Sequence, residues 1–197
     1  MGYTVIGNVK SRALRVLWTL EELGLDYEHV DAGPRSDEVT RISPAGKVPV
    51  LVADGVPITD SVAIMTFLAD RHGALTFPAG TIDRARQDSL TQMILDEIDA
   101  VLWTAARHSF VLPEDLRIGA IKDSLKWEFA RSEKALVDRM AEDGPFLMGE
   151  TMTIADILLA HCGGWAIAAK FPISEPRLRN HIALMRDRPA FHRALGA

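Results

Sequence analysis

A single cysteine, Cys162, occurs in 197 residues. No intrachain disulfide, CxxC redox pair or cysteine-built zinc site can therefore form within the chain. Basic residues are in deficit: 22 Lys and Arg face 27 Asp and Glu, giving a net charge of −5. That balance excludes the basic footprint nucleic acid requires. No uncharged apolar run approaches the length of a membrane span. The opening Met1-Gly2-Tyr3-Thr4-Val5-Ile6 lacks a basic segment followed by a long apolar one, and Ile6 stands where N-myristoylation needs Ser or Thr. The expectation is a soluble cytoplasmic protein with neither a nucleic-acid nor a membrane partner. What remains is ordinary globular composition, 48% apolar and 25% charged, in a chain long enough for one large domain or two small ones.

Hydrophobic periodicity divides the chain. Tyr3 to Ile6 reads as a β-branched strand, and Ala13, Val16, Leu17, Leu20 and Leu23 follow helical spacing up to Gly24. Tyr27 to Val30 reads as a second strand, which makes a βαβ unit with a right-handed crossover. One helical turn is expected around Asp37 to Arg41. Val50 to Ala53, the turn Asp54-Gly55, and Val56 to Ile58 signal a hairpin. A helix then runs through Ala63, Ile64, Phe67 and Leu68 to Gly73. The expected α/β domain is βαβαββα over residues 1–75, with a Pro- and Gly-bearing linker at 76–82.

Residues 83–197 carry no convincing strand and are expected to form an all-helical domain. Leu90, Ile94, Ile98, Val101, Leu102 and Ala105 make one stripe. Ile118, Ile121, Leu125, Phe129, Leu136 and Met140 make another, on a helix expected to stop at Gly144-Pro145. The segment Ile157 to Ala169 has no charge on any side and reads as a buried central helix. Its start carries a capping box, Thr153-Ile154-Ala155-Asp156, with Met152 and Ile157 at hydrophobic-staple positions. A folding role for Asp156 outweighs a catalytic one. Two short helices are expected near Glu175 to Arg186 and Pro189 to Leu195.

The motif with most chemistry in it is Gly46-Lys47-Val48-Pro49-Val50-Leu51 followed by Thr59-Asp60-Ser61. Proline cannot donate to a sheet ladder, so Pro49 belongs at the start of the strand Val50-Leu51-Val52. X-Pro bonds alone adopt cis cheaply, and a cis bond there would turn the backbone of Val48 outward. Asp60-Ser61 caps the next helix, whose unpaired N–H groups and positive end suit an anion. An outward peptide edge beside an anion-binding helix start is a cradle for a short peptide bearing a carboxylate. An ordinary turn followed by an ordinary N-cap would leave the same residue pattern.

These motifs, taken in order, resemble the cytosolic glutathione transferases. Ser11-x-x-x-Arg15-Val16-Leu17-Trp18-x-Leu20-Glu21-Glu22-Leu23-Gly24 is similar to the first helix of bacterial, serine-type, theta-, beta- and zeta-like members. Ser43-Pro44-Ala45-Gly46-Lys47-Val48-Pro49 resembles the cis-proline segment, Asp60-Ser61-Val62-Ala63-Ile64 the γ-glutamyl site, and Thr153 to Asp156 the capping box of the helical domain. The resemblance implies a thioredoxin-like N-terminal domain followed by an all-helical C-terminal domain, covering essentially the whole chain.

It further implies a site. Glutathione, as co-substrate and without a metal, would lie along the Pro49 edge and pair with the backbone of Val48. Ser61 would take its γ-glutamyl carboxylate and Asp60 its ammonium. Lys47 and Arg35 are candidates for the glycyl carboxylate, or solvated surface charges. Ser11 would donate to the thiol, and would also serve as N-cap of the first helix. The loop Val9-Lys10-Ser11-Arg12-Ala13 departs from the family's Ser-Pro form, so Asn8, Lys10 and Arg12 stay open as thiol contacts; Tyr3 falls on the strand. No cysteine lies near Ser11, which argues against mixed-disulfide chemistry. Arg107, His108 and Phe110 are candidates for a small hydrophobic electrophile, while Trp103, Trp127, Trp165 and Cys162 read as packing or interface residues. The resemblance also implies a homodimer, with Asp96, Glu97 or Asp99 reaching toward a partner's ammonium. The reading is a detoxifying glutathione transferase. The alternatives are an isomerase of the maleylacetoacetate type, whose Ser-Ser-Cys loop is absent here, and a non-catalytic binding or regulatory protein.

Overall fold

The structure, a computed structural model, describes residues 2–197. Contacts group it into two units: one extends to Pro78 and includes Arg186–Ala197, and the other is Ala79–Met185.

In the first unit, β1 (Tyr3–Ile6), α1 (Ala13–Leu23) and β2 (Glu28–Val30) form the expected βαβ with parallel strands, and α2 (Asp37–Thr40) is a single turn. Then β3 (Val50–Ala53) and β4 (Val56–Thr59) lead into α3 (Ser61–His72). The sheet order is β2-β1-β3-β4, with β3 antiparallel to both its neighbours. Asp54 and Gly55 both take positive φ, 52° and 80°. A two-residue turn needs that backbone to match the right-handed twist of its strands. Val5 opposes Leu51 in the register, and both are fully buried. The helices stop where the sequence supplies glycine: Gly24 and Gly73 each sit at φ 64°, returning their N–H groups to the last turn.

The C-terminal helix α9 (Pro189–Leu195) packs on α1, although residues 186–197 were expected within an all-helical domain running from 83 to 197. The cause is specific. The Trp18 ring, fully buried on α1, lies 4.7 Å from that of Phe191. Arg188 grips Glu22 through two nitrogens at 2.6 and 2.7 Å, and Arg193 meets Glu21 at 2.5 Å.

The second unit opens with one continuous helical run: α4 (Ile82–Met93), a π-helical stretch Ile94–Asp99, α5 (Ala100–Ala106) and a second π-helical stretch Arg107–Val111. The expected stripe is buried from Leu90 to Ala105. Leu90, Ile94, Ile98 and Leu102 recur every four residues, a longer period than the ~3.6 of an α-helix. The wider π turns accommodate that period and keep all four inward. After a 3₁₀ turn at Glu114–Leu116 come α6 (Ile121–Val137), α7 (Ile154–Ala168) and α8 (Pro176–Arg186). Gly163 on α7 faces Ile182 of α8, where an added Cβ would lie 2.4 Å from the isoleucine Cδ1. Only glycine permits that approach. Among the described residues no helix is long and apolar enough to cross a membrane.

Three expectations fail here. Ile118, assigned to the α6 stripe, is 59% exposed, because the helix begins only after Gly119-Ala120. The same helix ends at Val137, not at Gly144; Arg139 turns aside to donate to Ser89 Oγ and Met93 Sδ of α4. Trp127, read as packing, is 64% exposed with the Arg131 guanidinium 5.4 Å from its ring centre. It lies two residues out of phase with Leu125 and Phe129, hence on the opposite face.

Candidate functional site

The first unit holds most of the sequence-predicted residues, and Gly7 sets the approach of two of its segments. That glycine has φ 144°, and an added Cβ would come within 2.8 Å of Ala13 Cβ and 3.1 Å of Val48 Cβ. Its bareness lets the start of α1 close onto the segment before β3. Gly7 is anchored by its N–H to Val30 O and by its own carbonyl to His29 Nε2 at 2.7 Å.

Ser11 sits in the resulting loop. Its hydroxyl donates to Asn8 O at 2.7 Å and accepts the Ala13 N–H at 3.1 Å. The N-cap position itself falls on Arg12, which caps with no side-chain bond, so Ser11 caps from one residue further out than expected. Across from Gly7, the Val48–Pro49 bond is cis, as expected. Pro49 is buried, Val48 half-buried, and Val48 takes no part in the loop's backbone hydrogen bonds. Its peptide edge has hydrogen-bonding capacity to offer. Gly46, at φ 63°, packs on Arg35, whose N–H donates to Gly46 O at 2.8 Å. This clasp puts Arg35, Lys47 and the Val48 edge on one loop cluster, with both cations exposed.

The start of α3 completes the constellation. Asp60 takes φ 73°, uncommon outside glycine, and its Oδ1 accepts the N–H groups of Val62 and Ala63 at 2.9 and 3.1 Å. The carboxylate is exposed and its Oδ2 lies outside the cap. Ser61 is 3% exposed, and its Oγ accepts a hydrogen bond from Nη1 of Arg15 at 3.3 Å. Arg15 is fully buried. A guanidinium withdrawn from water, bonded to the serine at an anion-favouring helix start, adds a second positive source there. In the sequence Arg15 stands out only as a motif position. Its signal was present: it is the one charge between Ala13 and Leu20, a stretch buried throughout.

The remaining candidates belong to the second unit. Arg107 and Phe110 are exposed on the terminal π-helical stretch, Phe110 at 69%. Arg107 donates to Thr104 Oγ1 at 3.0 Å. His108 Nδ1 accepts the Ile118 N–H at 3.1 Å, so that nitrogen holds its lone pair and the ring pins a loop. Trp103 and Trp165 are half-buried. Asp99, considered for reaching a partner subunit, is buried and accepts from Cys162 Sγ at 3.8 Å; Glu97 accepts from Ser132 Oγ at 2.9 Å, and only Asp96 is exposed. Among the described residues no group of three or more His, Cys, Asp or Glu is placed to hold a metal.

Comparison with known proteins gives this arrangement a family. Residues 11–71 match the family model for the N-terminal domain of glutathione S-transferases. Glutathione S-transferase GstA of Escherichia coli O157:H7 is 29% identical, across 91% of this chain and 90% of that protein. The crystal structure of a glutathione transferase from Methylococcus capsulatus, 28% identical, superposes with a TM-score of 0.85 over 98% of this chain and 97% of that one. Residues 11–71 thus match a glutathione S-transferase N-terminal domain, and the chain as a whole is similar to glutathione S-transferases, with a thioredoxin-like N-terminal domain and a helical C-terminal region. A probable elongation factor 1-gamma of Arabidopsis thaliana is 30% identical over 82% of this chain, which spans 40% of that protein. Six of the curated relatives, that one included, are spanned to less than two thirds, between 28% and 66% of their length.

Proposed function

We propose that this protein binds glutathione along the Val48 edge, holds its sulfur as thiolate and adds it to small hydrophobic electrophiles. The observation that carries the reading is the cis bond before Pro49, with the Val48 peptide outside the loop's backbone hydrogen bonds, together with a start of α3 whose Ser61 is backed by the buried Arg15. The tripeptide backbone would extend that edge as an added strand. Ser61 and the first N–H groups of α3 take the γ-glutamyl carboxylate, Asp60 Oδ2 the ammonium, and Arg35 or Lys47 the glycyl carboxylate. A cytoplasmic twofold homodimer is part of the same proposal, as is an electrophile held by Arg107, His108 and Phe110.

The thiol needs activation. Its pKa near ~8.5 leaves little thiolate at neutral pH, and lowering it by about two units takes about 2.7 kcal/mol. Ser11 must first leave Asn8 O. A neutral hydrogen bond contributes about 1 kcal/mol against about 1.5–3 for one to a charged group, so the exchange favours the thiolate. The positive end of α1 adds up to about 1 kcal/mol. Together they are of the required size.

The test is conjugation to a chloronitroaromatic, with the pH–rate profile read for the bound thiol. Ser11→Ala is expected to raise the apparent thiol pKa by about 1–2 units and to lower kcat/KM near neutrality by about 10–100-fold. An unchanged profile would remove Ser11 from the chemistry and direct attention to Asn8, Lys10 and Arg12. A second reading, a glutathione-binding protein without turnover, is favoured by the Ser11 hydroxyl already serving Asn8 O and by the elongation-factor relative. Binding without conjugation for any electrophile class would establish it.

A further inference from the structure

The capping box of α7 contains a group that its folding role does not use up. Asp156 is fully buried, and three donors converge on it: Leu147 N on Oδ1 at 2.7 Å, with Thr153 N and Thr153 Oγ1 on Oδ2 at 2.8 and 3.1 Å. A carboxylate has about four lone-pair sites, so one on Oδ1 remains. Facing it at 3.5 Å is Nε2 of His181, on α8, whose side chain is 2% exposed. Among the described residues that nitrogen has no hydrogen-bond partner. The other ring nitrogen, Nδ1, lies 3.2 Å from Pro145 O.

The donor inventory decides what this means. A carbonyl oxygen only accepts, so Nδ1 must carry hydrogen. A neutral imidazole protonated there presents a bare lone pair at Nε2. Against an ionised Asp156, two acceptors would then face each other in a site closed to water, which is costly. One proton on either atom turns the confrontation into an attraction.

We propose that Asp156 and His181 keep a single proton between Oδ1 and Nε2 through the neutral range, so that the helical unit closes its α7 start onto α8 by taking up a proton that the unfolded chain does not hold. The charged neighbours are few. Arg177, also on α8, acts on His181 while donating to Ala141 O; the loop bearing Pro145 and Leu147 contributes only backbone. Burial pushes the Asp156 carboxyl above its ordinary range, opposed by His181 and the bonds from Leu147 and Thr153. Burial pushes the His181 imidazole below its ordinary range, opposed by Asp156 and Pro145 O and assisted by Arg177. Both directions place the shared proton nearer the carboxyl, giving a neutral pair suited to a dry site.

The balance is simple. Above about pH 6.5 the unfolded chain holds an ionised aspartate and a neutral histidine, so folding takes one proton from solvent. Between about pH 4 and 6.5 the unfolded pair already holds one proton and folding exchanges none. Stability from the pair is therefore level across that interval and declines as pH rises beyond it, until the folded pair itself ionises.

The experiment uses the whole chain labelled uniformly with ¹³C and ¹⁵N, followed by NMR from pH 5 to 8, with triple-resonance spectra assigning the His181 and Asp156 side chains. The expected result is one proton for the pair throughout: a neutral ring with a protonated carboxyl, or an imidazolium with an ionised one. A neutral ring beside an ionised carboxylate at pH 7 overturns the proposal. Urea unfolding supplies the second arm. The side-chain amide introduced by His181→Gln can donate to Oδ1 without titrating, so above about pH 6.5 the wild-type folding constant should lose up to about tenfold per pH unit relative to that variant. Parallel curves would also overturn it, and if the variant fails to fold the NMR arm still decides.

Discussion

Two helix starts in this molecule carry the same chemistry and do opposite things with it. At α3, Asp60 caps with one oxygen, stays exposed, and stands beside a serine backed by a buried arginine. At α7, Asp156 accepts at both oxygens and is sealed from water. The residue type is shared; solvent access and the count of occupied lone pairs differ. An acid with spare acceptors at an open helix end can meet a ligand, whereas one with converging internal donors holds the fold.

Variants can break that contrast. Asp156→Ala strands the Leu147 and Thr153 N–H groups in a buried site and should lower unfolding free energy by about 3–5 kcal/mol, measured in urea. The glutathione affinity of the folded fraction should not move; if it does, the two starts are not separable. Ser61→Ala should weaken glutathione by about 10–100-fold in calorimetric titration, the worth of one hydrogen bond to a charged group. Retained affinity would mean that the carboxylate lies elsewhere. Asp60→Asn keeps the cap and tolerates positive φ, so stability should change by less than about 0.5 kcal/mol. Glutathione should bind up to about fivefold less tightly, and the difference should shrink with added salt. Trp127→Ala calibrates the scale: an exposed side chain whose described partner is the Arg131 guanidinium should shift stability by no more than about 1 kcal/mol. A loss of several kcal/mol would show that this face is covered.

Local periodicity made most of the fold legible. The βαβ opening, the Asp54-Gly55 turn, the stops at Gly24 and Gly73 and the capping box all depend on residues a few positions apart, and each is found as expected. The attachment of α9 was not legible, because Glu22 and Arg188 are 166 positions apart and either reads alone as a surface charge. Trp127 misled because size suggests burial, whereas its phase relative to Leu125 and Phe129 turns it outward. Within the candidate site, Val48, Asp60 and Ser61 were readable from cap and strand grammar. Arg15 was not given a role, since its partner Ser61 lies 46 residues on and only folding brings the two together.

The wide turns at Ile94–Asp99 have a consequence for how this helix tolerates change in length. A stretch wound with i→i+5 bonding contains more residues than a regular helix would use over the same axial distance. Deleting one residue between Ile94 and Ile98 would shorten that interval from four positions to three, which an ordinary α-helix also places on one face. The long helix thus carries a spare residue at its centre, and excising it should retain the inward stripe where a deletion elsewhere would rotate half of it into solvent.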